Sequence, residues 1–212
     1  MKYFTREHLA ETLAELGAPA SPDLYAELAA AYAMPDRFYH TANHIEQCLA
    51  QFDKVRDLAV QPAQIEIALW FHDAIYDTQR SDNEQRSAVW AREFLEREHI
   101  AHDRIDRVCD LILATRHDAS VDDPDQQLLI DIDLGILGQS RAAFDAYDTA
   151  IRREYAWVPW PQYVEARFRV LSGFLNRPSI YLTSLFVTRF ETQARQNIAA
   201  AIDKLQRNRT GA

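Results

Sequence analysis

Cysteine, glycine and long apolar runs are scarce in this sequence of 212 residues. Its two cysteines, Cys48 and Cys109, form no CxxC pair, so the sequence predicts neither a zinc ribbon nor a disulfide framework. Both are interpreted as reduced thiols in the core. No apolar run is long enough for a membrane span, and the N-terminus lacks the apolar segment of a secretory signal. We therefore expect a cytoplasmic protein that does not enter a membrane.

Positive charge is also in deficit. Lysine and arginine number 23 against 32 aspartates and glutamates, which gives a formal net charge of -9 and a pI of about 5.2. An acidic surface disfavours non-specific binding to nucleic acids and to anionic membranes, although a local basic cleft is compatible with it. No nucleic-acid polymer is expected as a partner.

The sequence also lacks the patterns that are typical of β-strands. Only five glycines interrupt the chain, apolar residues recur at helical spacing, and we find no convincing alternation of β-branched residues. The sequence predicts an all-α fold and, with 48% hydrophobic residues, one domain over 1–212. The predicted helices cover 6–16, 22–34, 41–58, 62–76, 82–98, 103–117, 126–137, 141–156, a segment through Leu171, and 183–205.

Metal-ligand side chains lie in three separate and otherwise apolar segments. His44 lies in 37-RFYHTANHI-45, His72 and Asp73 in 69-LWFHDAIYD-77, and Asp133 in 129-LIDIDLGILG-138. Asp73 would be costly to bury alone, so it should be paired, hydrogen-bonded or metal-bound. Two imidazoles and two carboxylates suit a divalent metal, namely Mn, Fe, Co, Ni or Zn, or Mg that keeps waters.

Two further aspartates lie near these residues in the sequence. Asp131 is two positions from Asp133, so on a helix the two do not face the same way. Asp131 is left open as a surface residue or as a carboxylate behind the metal ligands. Asp77 follows Asp73 by four, and we predict that both project from one helical face. Asp77 is then a general base or a ligand that reaches the metal through water, and its alternative is a solvated carboxylate at a helix end.

These segments, in this order, resemble the HD superfamily of metal-dependent phosphohydrolases, and most closely an uncharacterised bacterial branch of it. The matching pieces also include 82-DNEQRSA-88 and 178-PSIYLT-183. The resemblance covers nearly the whole chain. It implies a single HD-type helical bundle with the metal site built from about 37–137 and completed by helices over 141–208. It implies no particular substrate.

The resemblance also bears on the catalytic residues. Asp77 falls where HD hydrolases of alarmones carry the aspartate of an HDxxED pattern, but Tyr76 replaces the glutamate. Glu84, in the DNE pattern of the family branch, is the other candidate base. Its alternative is a capping box, in which Ser81 accepts from the amide of Glu84 and Glu84 reaches back.

A phosphate substrate needs positive charge. The candidates are Arg37, Arg116 and Arg167, because a guanidinium binds phosphate through two hydrogen bonds. His117 is a candidate for binding phosphate or for a second metal site, although a cation at a helix C-terminus is favoured by the dipole alone. His40, four before His44, is a candidate for supporting the ligands.

The function predicted is metal-dependent hydrolysis of a phosphomonoester or phosphoanhydride, with nucleotides among the candidate substrates. One alternative is a nucleotide-binding or sensing module with an idle site, which Tyr76 favours. Another is a di-iron oxygenase of the HD type, which needs two more histidines, His117 with His99 or His102. A homo-oligomer is left open, because the apolar face of the last helix could pack internally or on a second subunit.

Overall fold

A computed structural model describes residues 1–117 and 121–210 of the chain. In these ranges it contains ten α-helices, two short 3-10 helices and no strand, so the predicted all-α class is confirmed. The chain forms two compact units, Met1–Asp133 and Leu134–Ala212. Within the described ranges, no helix has both the length and the apolar character needed to cross a membrane.

The N-terminal unit contains seven helices. Their bounds are α1 Arg6–Leu16, α2 Pro22–Tyr32, α3 Ala42–Asp53, α4 Pro62–Phe71, α5 Asn83–Arg97, α6 His102–Ala114 and α7 Pro124–Asp133, with a 3-10 helix at Arg56–Leu58. Side-chain oxygens of Thr5 and Ser21 cap α1 and α2, and Pro22 and Pro62 stand in the first turns of α2 and α4. The predicted start and end of α1 are both confirmed.

Helix α4 is the centre of this unit. It contacts α1, α3, α5, α6 and α7, and every residue from Gln64 to Phe71 is buried. A helix that is apolar on all sides is stable only when other elements surround it. This position brings the end of α4, where His72 follows, into the interior of the unit.

Four predicted helix ends in this unit are three or more residues too late. Helix α3 stops at Asp53 instead of continuing to 58, α4 at Phe71 instead of 76, α6 at Ala114 instead of 117, and α7 at Asp133 instead of 137. After Phe71 the backbone hydrogen-bonds to side chains. Arg37 donates to the carbonyls of Asp73 and Ala74, and Ser87 bonds both the amide and the carbonyl of Ile75. These bonds replace the helical pattern, so Asp73 and Asp77 do not share a helical face.

The C-terminal unit contains a 3-10 helix at Leu134–Gly138 and three helices, α8 Arg141–Glu154, α9 Trp160–Leu175 and α10 Ser184–Thr210. Helix α10 contacts α9 and the 3-10 helix, and it extends five residues beyond the predicted end at 205. Asn197, fully buried on α10, donates to the carbonyls of Leu137 and Gln139 at 2.9 and 2.8 Å. These bonds satisfy carbonyls at the end of the 3-10 helix.

Candidate metal centre

The N-terminal unit brings the four predicted ligands together. His44 lies in the first turn of α3, His72 caps α4, Asp73 follows it, and Asp133 ends α7. Because α4 contacts both α3 and α7, the ends of these helices meet in one place. The residues that are distant in the sequence thus become neighbours through helix packing.

The donor atoms of this group lie at short distances from one another. His44 Nε2 is 3.2 Å from His72 Nε2, 3.4 Å from Asp73 Oδ2 and 3.2 Å from Asp133 Oδ1. His72 Nε2 is 3.1 Å from Asp73 Oδ2 and 3.6 Å from Asp133 Oδ1. Donors bound at about 2.0–2.1 Å to one cation lie about 2.8–3.4 Å apart when they are neighbours. The donor set therefore fits a single divalent cation.

A hydrogen bond at Nδ1 of the His72 ring determines which ring nitrogen can bind a metal. Its Nδ1 lies 3.0 Å from the carbonyl oxygen of Leu69. A carbonyl only accepts, so Nδ1 carries the proton and the lone pair of the neutral ring is on Nε2. A backbone carbonyl that orients the ring in this way is a common arrangement behind metal-binding histidines.

Burial gives the group a closed side and an open side. The imidazoles of His44 and His72 are 2% and 1% exposed, whereas the carboxylates of Asp73 and Asp133 are 18% and 16% exposed. A small molecule would therefore approach from the carboxylate side.

The charges in this group stabilise one another. Burial raises the pKa values of the Asp73 and Asp133 carboxyls, but the neighbouring histidines outweigh burial and lower both well below the usual range. Conversely, burial lowers the pKa values of His44 and His72, but neighbouring side chains, among them the carboxylates of Asp73 and Asp133, raise both well above the usual range. A divalent cation would neutralise the same carboxylates while displacing protons from the imidazoles.

Cys48 is a member of the group that the sequence did not predict. His44, Cys48, His72 and Asp133 form a buried or partly buried group that could hold a metal ion, with one ligand atom of each within 4.8 Å of the others. Cys48 Sγ lies 3.8 Å from both ring nitrogens of His44, so it is no nearer to Nε2 than to Nδ1. The i,i+4 spacing of His44 and Cys48 on one helix was the available signal.

Asp131 is not a surface residue, because it is 0% exposed. It lies outside the group around His44, whereas Asp133 lies within it. Of its two predicted alternatives, Asp131 therefore stays a candidate for the carboxylate behind the metal ligands.

Aromatic rings border the group. Tyr39 packs against His44 with ring centroids 4.7 Å apart, and His40 stacks on Tyr76 at 4.0 Å. Proximity of His40 also contributes to the low pKa of the Asp73 carboxyl. His40 is therefore adjacent to the ligands, as its predicted supporting role requires.

Arg37 is buried beside the group and bonds to the backbone. Its Nη1 donates to the carbonyls of His40 and Asp73 at 3.1 and 2.7 Å, and its Nη2 donates to that of Ala74 at 2.9 Å. The guanidinium thus joins the segment before His44 to the segment of His72 and Asp73. This geometry supports a role in holding the ligands in addition to the predicted contact with substrate.

The two candidate bases lie on either side of the loop before α5. Asp77 Oδ1 accepts from the amide of Gln79, and the Asn83 side chain bonds both the amide and the carbonyl of Asp77. Glu84 is half-buried in the first turn of α5. The capping box that was its alternative is wrong, because Asp82 and not Ser81 occupies the N-cap and no side chain bonds there.

The remaining predicted residues are dispersed. His117 Nε2 lies 3.2 Å from Asp133 Oδ2, and Arg116 beside it is exposed. Arg167 belongs to the C-terminal unit, where it is buried against Asp148 with Nη2 3.0 Å from Oδ1. His99 and His102 are exposed and lie outside the group around His44.

No protein-family model matches this chain, and neither a curated protein nor a solved structure matches it.

Proposed function

We propose that the chain is a metal-dependent phosphohydrolase of the HD type, acting on a phosphomonoester or phosphoanhydride, with nucleotides among the candidate substrates. The observation that carries the proposal is the convergence of His44, His72, Asp73 and Asp133, in the order that the HD resemblance implies, on one solvent-facing site. Four nitrogen and oxygen donors with an open side suit catalysis better than a closed structural site.

The four ligands would hold a divalent cation, with Mn, Mg, Fe, Co, Ni and Zn as the candidates. When bound, the cation would act as a Lewis acid on a phosphoryl oxygen and make water a stronger nucleophile at neutral pH. The buried imidazoles fix two of the donors. The carboxylates, on the open side, add the negative charge that retains the cation.

A carboxylate near the ligands would take the proton of the attacking water. Asp77 and Glu84 are the candidates. Asp77 Oδ1 already accepts from the amide of Gln79, so this oxygen has a partner within the protein. Among residues 1–117 and 121–210, Glu84 makes no side-chain hydrogen bond, so we favour Glu84 as the base.

Positive charge would offset the charge that develops on the phosphoryl oxygens. Arg116 is exposed and directly precedes His117, whose ring contacts Asp133. Arg116 is therefore a candidate for supplying this charge. The terminal nitrogens of Arg37 already donate to carbonyls, so its charge would act through space. Arg167 stays a candidate for substrate binding in the C-terminal unit.

The test is phosphate release from a panel of nucleotides and sugar phosphates, with each candidate metal supplied in turn. Asp73→Ala should abolish both turnover and metal retention, because it removes a donor 3.1 Å from His72 Nε2. The matched control is Cys109→Ala, which removes a second buried thiol that bonds the carbonyl of Ala88 and is not a member of the group, and it should retain metal and turnover to within a few fold.

The outcomes separate the alternatives. Full activity of the Asp73→Ala protein would contradict the proposal. Metal binding without phosphate release from any substrate would favour a sensing module. Oxygen consumption by the iron-loaded protein, with a near-ultraviolet absorption band, would favour the oxygenase.

A further inference from the structure

His117 has an unusual backbone conformation at the end of α6. Its φ is +58°, and only one other non-glycine residue in the described ranges, His99 at +57°, has a positive φ. This left-handed conformation is uncommon for a residue with a side chain. Both residues follow the end of a helix, and each amide bonds the carbonyl three positions back, His99 to Glu96 at 3.0 Å and His117 to Ala114 at 3.3 Å.

The side chain of His117 reaches a ligand of the candidate metal centre. Its Nε2 lies 3.2 Å from Asp133 Oδ2, whereas Asp133 Oδ1 lies 3.2 Å from His44 Nε2. An ionised carboxylate only accepts, so Nε2 of His117 donates the hydrogen. The two oxygens of Asp133 therefore have separate partners, with Oδ2 bound to His117 and Oδ1 directed at the imidazoles.

We propose that His117 is a positioning residue for Asp133. Its hydrogen bond to Oδ2 prevents rotation of the carboxylate and keeps Oδ1 aimed at the cation, and the left-handed backbone places the ring for that bond. The inference rests on the metal centre of the proposed function but not on hydrolysis. It differs from the expected role of His117 in phosphate binding, because its Nε2 is directed at the protein's own carboxylate.

The test measures binding of Co(II) alone, by titration and by the visible absorption spectrum of the bound ion. His117→Gly removes the ring and relaxes the backbone, and we expect it to weaken Co(II) binding by about 10–100-fold and to alter the spectrum. His117→Gln places an amide nitrogen near the former Nε2 position and should restore most of the affinity. His99→Gly is the matched backbone control and should bind Co(II) like the wild type.

Thermal unfolding of the metal-free proteins separates positioning from folding. Both glycine variants should stay folded at the temperature of the titration, because glycine adopts a positive φ without steric cost. If His117→Gly does not fold, His117→Asn replaces it, since asparagine tolerates this backbone and has a shorter side chain.

Wild-type affinity and spectrum in His117→Gly would overturn the inference, as would unchanged Co(II) binding with a higher KM for a phosphate ester. A wild type that binds no Co(II) would overturn both the metal centre and the inference. A wild type that binds Co(II) but releases no phosphate would remove only the hydrolase proposal, and the comparison of variants would still decide the role of His117.

Discussion

Glu46 holds the first residues of the chain against α3. Its carboxylate accepts from the amides of Lys2, Tyr3 and Phe4 at 2.7, 2.8 and 2.6 Å. Burial raises the pKa of Glu46, but these three amides outweigh burial and lower the pKa below its usual value. The bonds place Phe4, which is 4% exposed, in the core of the unit.

A lowered pKa in the folded state means that ionised Glu46 stabilises the fold. This contribution is fully present above the pKa of the unfolded chain, about 4.3, and is lost as the pH falls through the lower folded value. We expect Glu46→Gln to reduce the free energy of unfolding near neutral pH and to have a smaller effect at about pH 3. Urea unfolding at several pH values measures this.

The control for this prediction is Glu27→Gln, at an exposed glutamate on α2. It should change the free energy of unfolding little at any pH, since exposed substitutions usually have small effects. An equal loss from Glu46→Gln at all pH values would show that shape, and not charge, matters at this position.

The residues of the candidate metal centre differ in how far they could be predicted. His44, His72, Asp73 and Asp133 could be found because charged and imidazole groups in apolar segments need partners. Cys48 and the backbone contacts of Arg37 were missed, since a buried thiol is an ordinary core residue and an arginine is usually exposed. Only the packing of the helices places these side chains beside the ligands.

The buried carboxylate of Asp125 was also missed. It is 0% exposed and accepts from the amides of Val60 and Gln61, just before α4, while Arg107 lies 3.3 Å away. In the sequence it is one aspartate among several in a polar stretch, 122-DDPD-125. The two amides that it accepts from are more than sixty positions away, so local pattern carries no sign of these contacts.

At the scale of elements, the 3-10 helix of the C-terminal unit depends on a glycine. A Cβ at Gly138 would lie 2.5 Å from Phe190 Cβ and 2.8 Å from the Tyr181 hydroxyl. We expect Gly138→Ala to reduce the free energy of unfolding by about 1–3 kcal/mol, because the close contact with Phe190 must be relieved by movement of α10. The midpoint of urea unfolding measures the loss.

Gly173 is the matched control on α9. A Cβ there would meet no atom within 4 Å, so Gly173→Ala should increase the free energy of unfolding by about 0.5–1 kcal/mol. An unchanged free energy of unfolding in Gly138→Ala would mean that α10 moves away from the 3-10 helix at little cost.

Helix ends show where local pattern loses its predictive value. The start of α2 follows from Ser21 and Pro22, and that of α4 from Pro62, because capping and proline geometry are local. The end of α4 was predicted five residues too late, since the apolar spacing continues through Ile75 and Tyr76. This segment instead bonds to Arg37, in the chain before α3, and to Ser87, on α5.

At the scale of the whole molecule, the net charge of -9 sets which polymers the chain can bind. We expect no binding of duplex or single-stranded DNA or RNA at about 0.15 M salt with a chelator present, because no excess of lysine and arginine is available to release counterions. Fluorescence anisotropy of labelled oligonucleotides tests this. Tight binding that weakens steeply with salt would reveal a basic cleft that the overall charge conceals.

By itself, the sequence determined the helical class, most helix starts and the residue types of a metal centre, because periodicity, capping and the cost of burying charge act locally or through residue type. The tertiary structure alone decided which donor atoms face each other, where α4 ends, and that His117 binds Oδ2 of Asp133. These contacts join residues far apart in the chain, and their geometry depends on how whole helices pack.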